Sequence, residues 1–272
     1  MSNPLGDEDM VLIRVLETIE EFAQAGAIEV AVWNVPPRDS LPPHFMRASA
    51  TAGGVALGAY EDGQMIGMAM AFPAFRDGKV FLWSHMTGVL PDYQRRDVGF
   101  QLKLAQRVWA LEHGFDQICW TFDPILRGNA NFNLYRLGAA ARRYHIDFYG
   151  EMHDGLNRGL PTDRLEASWD LLDARVAAAA RNEAPLPPDM DFQPERALLL
   201  IDVNGAPLLQ DVPLQQPLLA EIPLSVRTSP PDEQLIWRYA VRSALAPHVG
   251  QGWYAHAFCS GPDHGWYELR RV

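Results

Sequence analysis

Two adjacent arginines, Arg95 and Arg96, sit in a short turn between an apolar run and a long amphipathic stretch. The apolar run, Lys79 to Val89, reads as a strand. The turn is Leu90-Pro91-Asp92-Tyr93-Gln94-Arg95-Arg96-Asp97-Val98-Gly99, and the spacing predicts a helix from Val98 to His113, stopped by Gly114. A helix that opens just after a strand presents unpaired N–H groups and the positive end of its dipole. Guanidinium groups beside it add fixed charge in the form best matched to phosphate. The chemistry expected of this turn is therefore recognition of a phosphate-bearing ligand. Lys103 and Arg107 extend the basic character along the helix.

Other residues could move protons or hold charged groups. His85 lies on the strand before the turn, and strict alternation would put it on one face with Thr87 and Val89. Arg142, Arg143 and Arg164 are candidates for a carboxylate. Trp33, Trp83 and Trp120 could line a pocket or fill a core. His256, Cys259 and His264 lie close in sequence, but their hairpin supplies no fourth ligand, so no metal site is expected. Ser84-His85 without a placed acid does not make a hydrolase triad.

The elements that must carry these residues follow the apolar periodicity. Leu12, Val15, Leu16, Ile19, Phe22 and Ala23 predict a helix over 8–25 closed by Gly26. Ile28 to Trp33 reads as a first strand, and His44 to Ala52 as a short helix. Strands are expected at 55–60 and 65–72, joined by the turn signal Glu61-Asp62-Gly63. In the long helix Val98, Leu102, Ala105, Val108 and Trp109 form the expected buried stripe, with Gln101, Gln106 and Glu112 solvated. Gln117 to Phe122 predicts a buried strand, Asn129 to Leu137 a helix closed by Gly138, and Ala141 to Tyr149 extended chain. Farther on, a helix is expected from Thr162-Asp163 to about Arg181. A proline-rich linker then covers 182–188, followed by strands at 197–203 and 218–226 and a helix over 232–245. The chain closes with a hairpin of 252–259 and 265–270 turning at Ser260-Gly261-Pro262-Asp263.

The formal charge is −11, which argues against nonspecific nucleic-acid or anionic-membrane binding. The first nine residues carry no signal-peptide pattern, no run reaches membrane-spanning length, and two cysteines in apolar runs read as buried and reduced. These features predict a cytoplasmic protein.

The order helix, antiparallel strands, strand–turn–helix, strand and helix resembles the GNAT acyltransferase superfamily. The turn Gln94-Arg95-Arg96-Asp97-Val98-Gly99 resembles that family's Gln/Arg-x-x-Gly-x-Gly/Ala mark, with Asp97 in place of its first glycine. The runs Ser84-His85-Met86, Trp120-Thr121-Phe122-Asp123-Pro124, Asn129-Ala130-Asn131-Phe132-Asn133 and Leu160-Pro161-Thr162-Asp163-Arg164 are similar to one subgroup. Some members of that subgroup are linked with N-succinylation of amino acids.

The resemblance implies an α/β (α+β) fold with a GNAT-like mixed central sheet flanked by helices over 1–155. A C-terminal α+β extension over 156–272 would cover the active site or build a homodimer. It implies acyl-CoA (acetyl-CoA or succinyl-CoA) as cosubstrate and a small-molecule amine, amino acids included, as acceptor. Pantetheine would lie beside Thr87, Gly88 and Val89, with Asn129 on its arm. The pyrophosphate would meet Gln94, Arg95, Arg96, Asp97, Val98 and Gly99. His85, or Glu151, would be the base, and Tyr135 the acid for the leaving thiolate, although Leu134 takes the tyrosine's usual position. Arg143, Arg164 and Trp120 would face the acceptor. The alternative is a noncatalytic acyl-CoA-binding or assembly protein, because Asp97 adds bulk and negative charge where the family has glycine.

Overall fold

The computed structural model describes residues 11–152, 159–183, 192–261 and 264–272. The N-terminal ten residues, most of the proline-rich linker, and Pro262-Asp263 of the last hairpin lie outside the described residues, as do residues 153–158. The chain divides into two compact units, one taking its described residues from 11–118 and the other from 119 onward.

Unit 1 is an antiparallel sheet in the order β1 (Leu12–Val15), β2 (Val55–Glu61), β3 (Gln64–Arg76), β4 (Lys79–Val89). Its helices are α1 (Ile19–Trp33), α2 (Pro43–Thr51) and α3 (Val98–Glu112). From residue 11 on, the expected helix over 8–25 is a strand followed by a helix start, and the expected strand over 28–33 is the second half of that helix. The reason is a capping box. The Thr18 hydroxyl accepts from the Glu21 amide at 3.3 Å, and the Glu21 carboxylate accepts from the Thr18 amide at 3.1 Å. With its start fixed there, the Ile-Val-rich stretch continues as helix to the left-handed Asn34 (φ 51°).

Two sides of the sheet are readable from single glycines. A Cβ at Gly88 would come within 2.9 Å of the Trp33 ring of α1, and one at Gly67 within 3.3 Å of Leu102 of α3. Helix α1 thus covers one face and α3 the other. The α1 face is filled by Phe22, Ile28, Met46, Met68 and Met70, with Phe72 and Met86 packed against them.

Unit 2 begins within β5 (Gln117–Phe122). The next elements are α4 (Arg127–Ala130), a π-helix (Asn131–Arg136), β6 (Ala140–His145), β7 (Arg164–Asp170) and α5 (Ala174–Ala180). They are followed by β8 (Ala197–Ile201), β9 (Pro207–Leu209), β10 (Leu218–Pro223), α6 (Pro231–Leu245), β11 (Trp253–Ser260) and β12 (His264–Arg271). Its strands run in the order β5-β7-β6-β11-β12-β10-β8-β9, with β8 and β10 parallel. Both units combine sheet and flanking helix, as the sequence leads one to expect.

The expected helix from Thr162 is corrected here. Thr162 and Asp163 are fully buried and lead into strand β7; only α5 is helical. Leu165 and Trp169 sit four apart and fit a helical stripe, but both are buried strand residues. What decides the matter is the turn at 147–150. The Thr162 hydroxyl donates to the Gly150 carbonyl at 3.0 Å and accepts from the Tyr149 amide at 3.0 Å, while the Phe148 amide donates to the Thr162 carbonyl at 3.0 Å. These bonds use groups that a helix start would have spent locally. The same turn ends β6 at His145, short of the expected Tyr149.

Candidate active site

In unit 1, Thr87, Gly88 and Val89 pair with Ala69, Met68 and Gly67 of β3. The chain leaves β4 through a single 3-10 turn at Pro91–Tyr93 and reaches α3 at Val98. Gln94 folds back so that its side-chain amide donates to the Val89 carbonyl at 3.1 Å. Arg95 and Asp97 both take left-handed backbone, φ 66° and 57°. Successive amides in such a turn can form a concave anion seat at the helix start. Gly99 leaves it open: a Cβ there would meet only Val89 Cγ2, at 3.8 Å. Val98 is buried and anchors the first turn.

The charges around this seat differ from one another. Arg95 is exposed. Arg96 forms a two-pronged pair with Glu61 at the β2–β3 turn and lies 5.3 Å over the Tyr93 ring. Asp97 occupies the N-cap position but makes no capping hydrogen bond through its side chain. Lys103 is only 2% exposed and lies in the core, so the basic patch expected along α3 loses that member. The buried face of α3 also takes in Gln106, while Val108 is about half exposed. The stripe is rotated from the expected one: Lys103 lies inside it and donates to both Ser84 and Gln106.

His85 departs from strand alternation. Met70 pairs with Met86 and Ala71 with Ser84, so His85 is an extra residue on β4. Beyond this bulge the strand changes face. Val89 looks toward α3, whereas the His85 ring lies 5.9 Å from Phe72, on the α1 side. The shared face expected for His85, Thr87 and Val89 is therefore absent. The His85 ring reaches solvent, yet the atoms crowding it desolvate the charged form and lower its pKa. That favours a neutral imidazole able to accept a proton.

In unit 2, Asn129 is exposed within α4, whose N-cap position belongs to Leu126. Tyr135 is half-buried in the π-helix, and Leu134 beside it is fully buried. Arg175 closes that helix by donating to the Leu134 carbonyl, and to the His256 carbonyl at 2.6 Å. Glu151 and Arg143 are exposed. Trp120 is buried, with its indole N–H on Asn133 Oδ1 at 3.0 Å and its ring edge-on to Trp169. Arg164 is buried, donating to the Asp163 carbonyl at 2.8 Å and lying 5.2 Å from the Tyr149 ring centroid. Among the described residues, no group of three or more His, Cys, Asp or Glu side chains could hold a metal ion.

Sequence reasoning missed a buried ionic network in unit 2. Arg238 grips Asp123 with two bonds, 2.5 and 2.8 Å, and Arg242 grips Asp163 with two, 2.8 and 2.6 Å. The Tyr144 hydroxyl also donates to Asp163, at 2.7 Å. The available signal was a pair of arginines four apart on α6, a spacing that puts both on one face.

The chain thus carries, on a mixed α/β fold, a strand–turn–helix whose helix opens at Val98 beside the exposed Arg95. Residues 16–139 carry the pattern of the acetyltransferase (GNAT) family, a match over a little under half of the chain. Among solved structures, an acetyltransferase of the GNAT family from Streptococcus pneumoniae is 16% identical with a TM-score of 0.47, covering 58% of this chain and 98% of its own. The ribosomal-protein-S18-alanine N-acetyltransferase of Escherichia coli is 16% identical with a TM-score of 0.47, covering 67% and 100%. A putative acetyltransferase from Salmonella typhimurium, solved with acetyl-CoA, is 16% identical with a TM-score of 0.48, covering 60% and 95%. No curated protein matches the chain. Among the described residues no helix is long and apolar enough to cross a membrane.

Proposed function

We propose that this chain is an acyl-CoA-dependent N-acyltransferase that moves an acetyl or succinyl group to a small-molecule amine, with amino acids as the first acceptor class. The observation that carries the reading is the turn from Val89 to Gly99, which joins strand β4 to an uncapped, sterically open helix start beside Arg95. The family pattern over 16–139 supports the same reading. In the reaction the amine nitrogen attacks the thioester carbonyl, and the C–S bond breaks. Coenzyme A leaves as a thiolate while the amine loses one proton. A free α-amine has a pKa of about 8, so a neutral imidazole at His85, or the Glu151 carboxylate, is the acceptor for that proton. Tyr135 is the donor for the thiolate, which is itself a fair leaving group. Backbone amides of Thr87–Val89 take the pantetheine arm and the developing oxyanion, and Gln94–Gly99 the pyrophosphate.

The test is release of free thiol from acetyl-CoA or succinyl-CoA across D- and L-amino acids. Turnover is the expected result. Binding without turnover would instead favour an acyl-CoA-binding or assembly protein, the reading that Asp97 supports by placing a carboxylate at the anion seat. Neither binding nor turnover would remove both.

Asp97 gives its own prediction. Its φ of 57° is readily taken by glycine, so Asp97→Gly is compatible with the backbone. Loss of the negative charge is expected to tighten coenzyme A binding about three- to tenfold, by isothermal titration, with the larger gain at low salt. An unchanged affinity would mean that the carboxylate points away from the phosphates.

A further inference from the structure

Lys103 has no role in the reading above, yet it is one of the most unusual residues of unit 1. It projects from α3 into the core with 2% of its surface exposed. Its ammonium donates to Ser84 Oγ at 3.1 Å and to Gln106 Oε1 at 2.7 Å. Ser84 and Gln106 are buried as well, at 4% and 0%. Burying an amine is costly unless hydrogen bonds replace its water. A leucine or methionine at the same helix position would fill the space without that cost. The lysine therefore contributes something that apolar packing does not.

Its partner shows what that is. Ser84 is the residue of β4 immediately before the extra residue His85, and it pairs with Ala71 on the α3 side. Past the bulge, Met86 packs on the α1 side against Met70, and Gly88 lies under Trp33. The strand must change face between Ser84 and Met86, and a bulge leaves its extra residue outside the ladder. The Lys103–Ser84 bond fixes the strand on the α3 side of this switch. The Met86 and Trp33 contacts fix it on the α1 side. His85 stands between the two anchors with Phe72 beside its ring.

We propose that Lys103 is a positioning residue for His85: through Ser84 it pins the β4 bulge that aims the imidazole. This rests on the assignment of His85 as the base for acyl transfer. The lysine does not touch the reacting atoms. It selects the backbone conformation that presents the ring, and helix α3 links this anchor to the anion seat at its own N-terminus. One rigid element would then set both the phosphate end and the proton-accepting end of unit 1.

The experiment uses Lys103→Met and Ser84→Ala in the full chain, with Leu102→Ala as the control, a buried α3 residue adjacent to Lys103 that faces Gly67 instead of Ser84. Two quantities are read. One is the titration midpoint of the His85 ring by NMR on histidine-labelled protein, assigned with His85→Gln. The other is the steady-state rate with acyl-CoA. Loosening the bulge lets the ring leave the atoms that crowd it, so both test variants are expected to raise the midpoint by about half a unit or more toward the ordinary value near 6.5. They are expected to lower kcat by about tenfold while the KM for acyl-CoA stays within about twofold. Leu102→Ala should lower stability and leave the midpoint where it was. An unmoved midpoint in Lys103→Met and Ser84→Ala, or an equal movement in Leu102→Ala, overturns the proposal. If Lys103→Met does not fold, Ser84→Ala decides, since it keeps the amine and its bond to Gln106. A wild-type chain without turnover would defeat the enzyme assignment alone; the NMR titration would still decide whether Lys103 holds His85.

Discussion

Methionine in place of Arg238 is expected to destabilise unit 2 by about 3–5 kcal/mol, read as a lowered urea midpoint. Arg238 and Asp123 are both buried, and the guanidinium meets both carboxylate oxygens. Methionine fills much of the volume but leaves the Asp123 carboxylate in the core with one direct hydrogen bond among the described residues, from the Ile125 amide at 3.0 Å, and with Arg164 4.0 Å away. The neighbouring pair makes the contrast. Arg242 is partly exposed, and its loss leaves Asp163 still bonded to the Tyr144 hydroxyl and the Asp147 amide. Arg242→Met should therefore cost less than Arg238→Met. Equal and small effects from both would mean that water reaches Asp123 and the network is not closed.

The same network sets a pH dependence. Burial pushes the Asp163 carboxyl up, but the bonds from Arg242 and Tyr144 outweigh it, and the net shift is downward. A lowered folded-state pKa stabilises the fold above the unfolded value, about 4 for a carboxyl. That contribution disappears as pH falls through the lower folded value. Acid unfolding of wild type should accordingly lose part of its steepness in Asp163→Asn.

The second large effect concerns turnover. His85→Ala is expected to lower kcat for acyl transfer by about a hundredfold or more, within the range of general-base contributions. The KM for acyl-CoA should change little, because the ring lies on the α1 side of the sheet and the anion seat at the start of α3. The pH profile carries a sign. Desolvation lowers the pKa of His85, so the neutral form persists to a lower pH than an ordinary imidazole allows. The acid limb of kcat/KM should fall with a midpoint below about 6.5. Its disappearance in His85→Gln would tie the limb to this ring. Unchanged turnover in His85→Ala would remove His85 and leave Glu151 as the next substitution to make.

The structure also shows why some elements were legible before folding was known and others were not. Strands β2, β3 and β4, the turn at Asp62-Gly63, and helix α3 with its stop at Gly114 all follow from local rules. Left-handed turns and helix stops draw on glycine and asparagine or aspartate, and long elements show their own periodicity. The strand–turn–helix that carries the candidate anion seat belongs to this class, which is why residues 79–112 could be read directly. Where a local signal conflicted with another, the sequence alone chose badly. The Ile-Val run at 28–33 has strand composition, but the capping box ten residues earlier commits it to helix.

Charge and facing were decided only by tertiary structure. Nothing within the sequence near Lys103 says that Ser84 and Gln106 will enclose it, since a lysine on a helix usually finds water. Nothing near Asp163 says that Arg242, 79 residues later, will meet it, or that Arg238 will meet Asp123 across 115 residues. A buried ion pair depends on two distant segments excluding water together, and no local pattern records that event. The His85 bulge has the same origin. Strand alternation is a local rule, and it fails at the point where packing against α1 on one face and α3 on the other demands a change of side. Sequence by itself therefore determined the locally encoded elements, β2 to β4, α3 and the turn that joins β4 to α3; packing decided which charges are buried and where His85 faces.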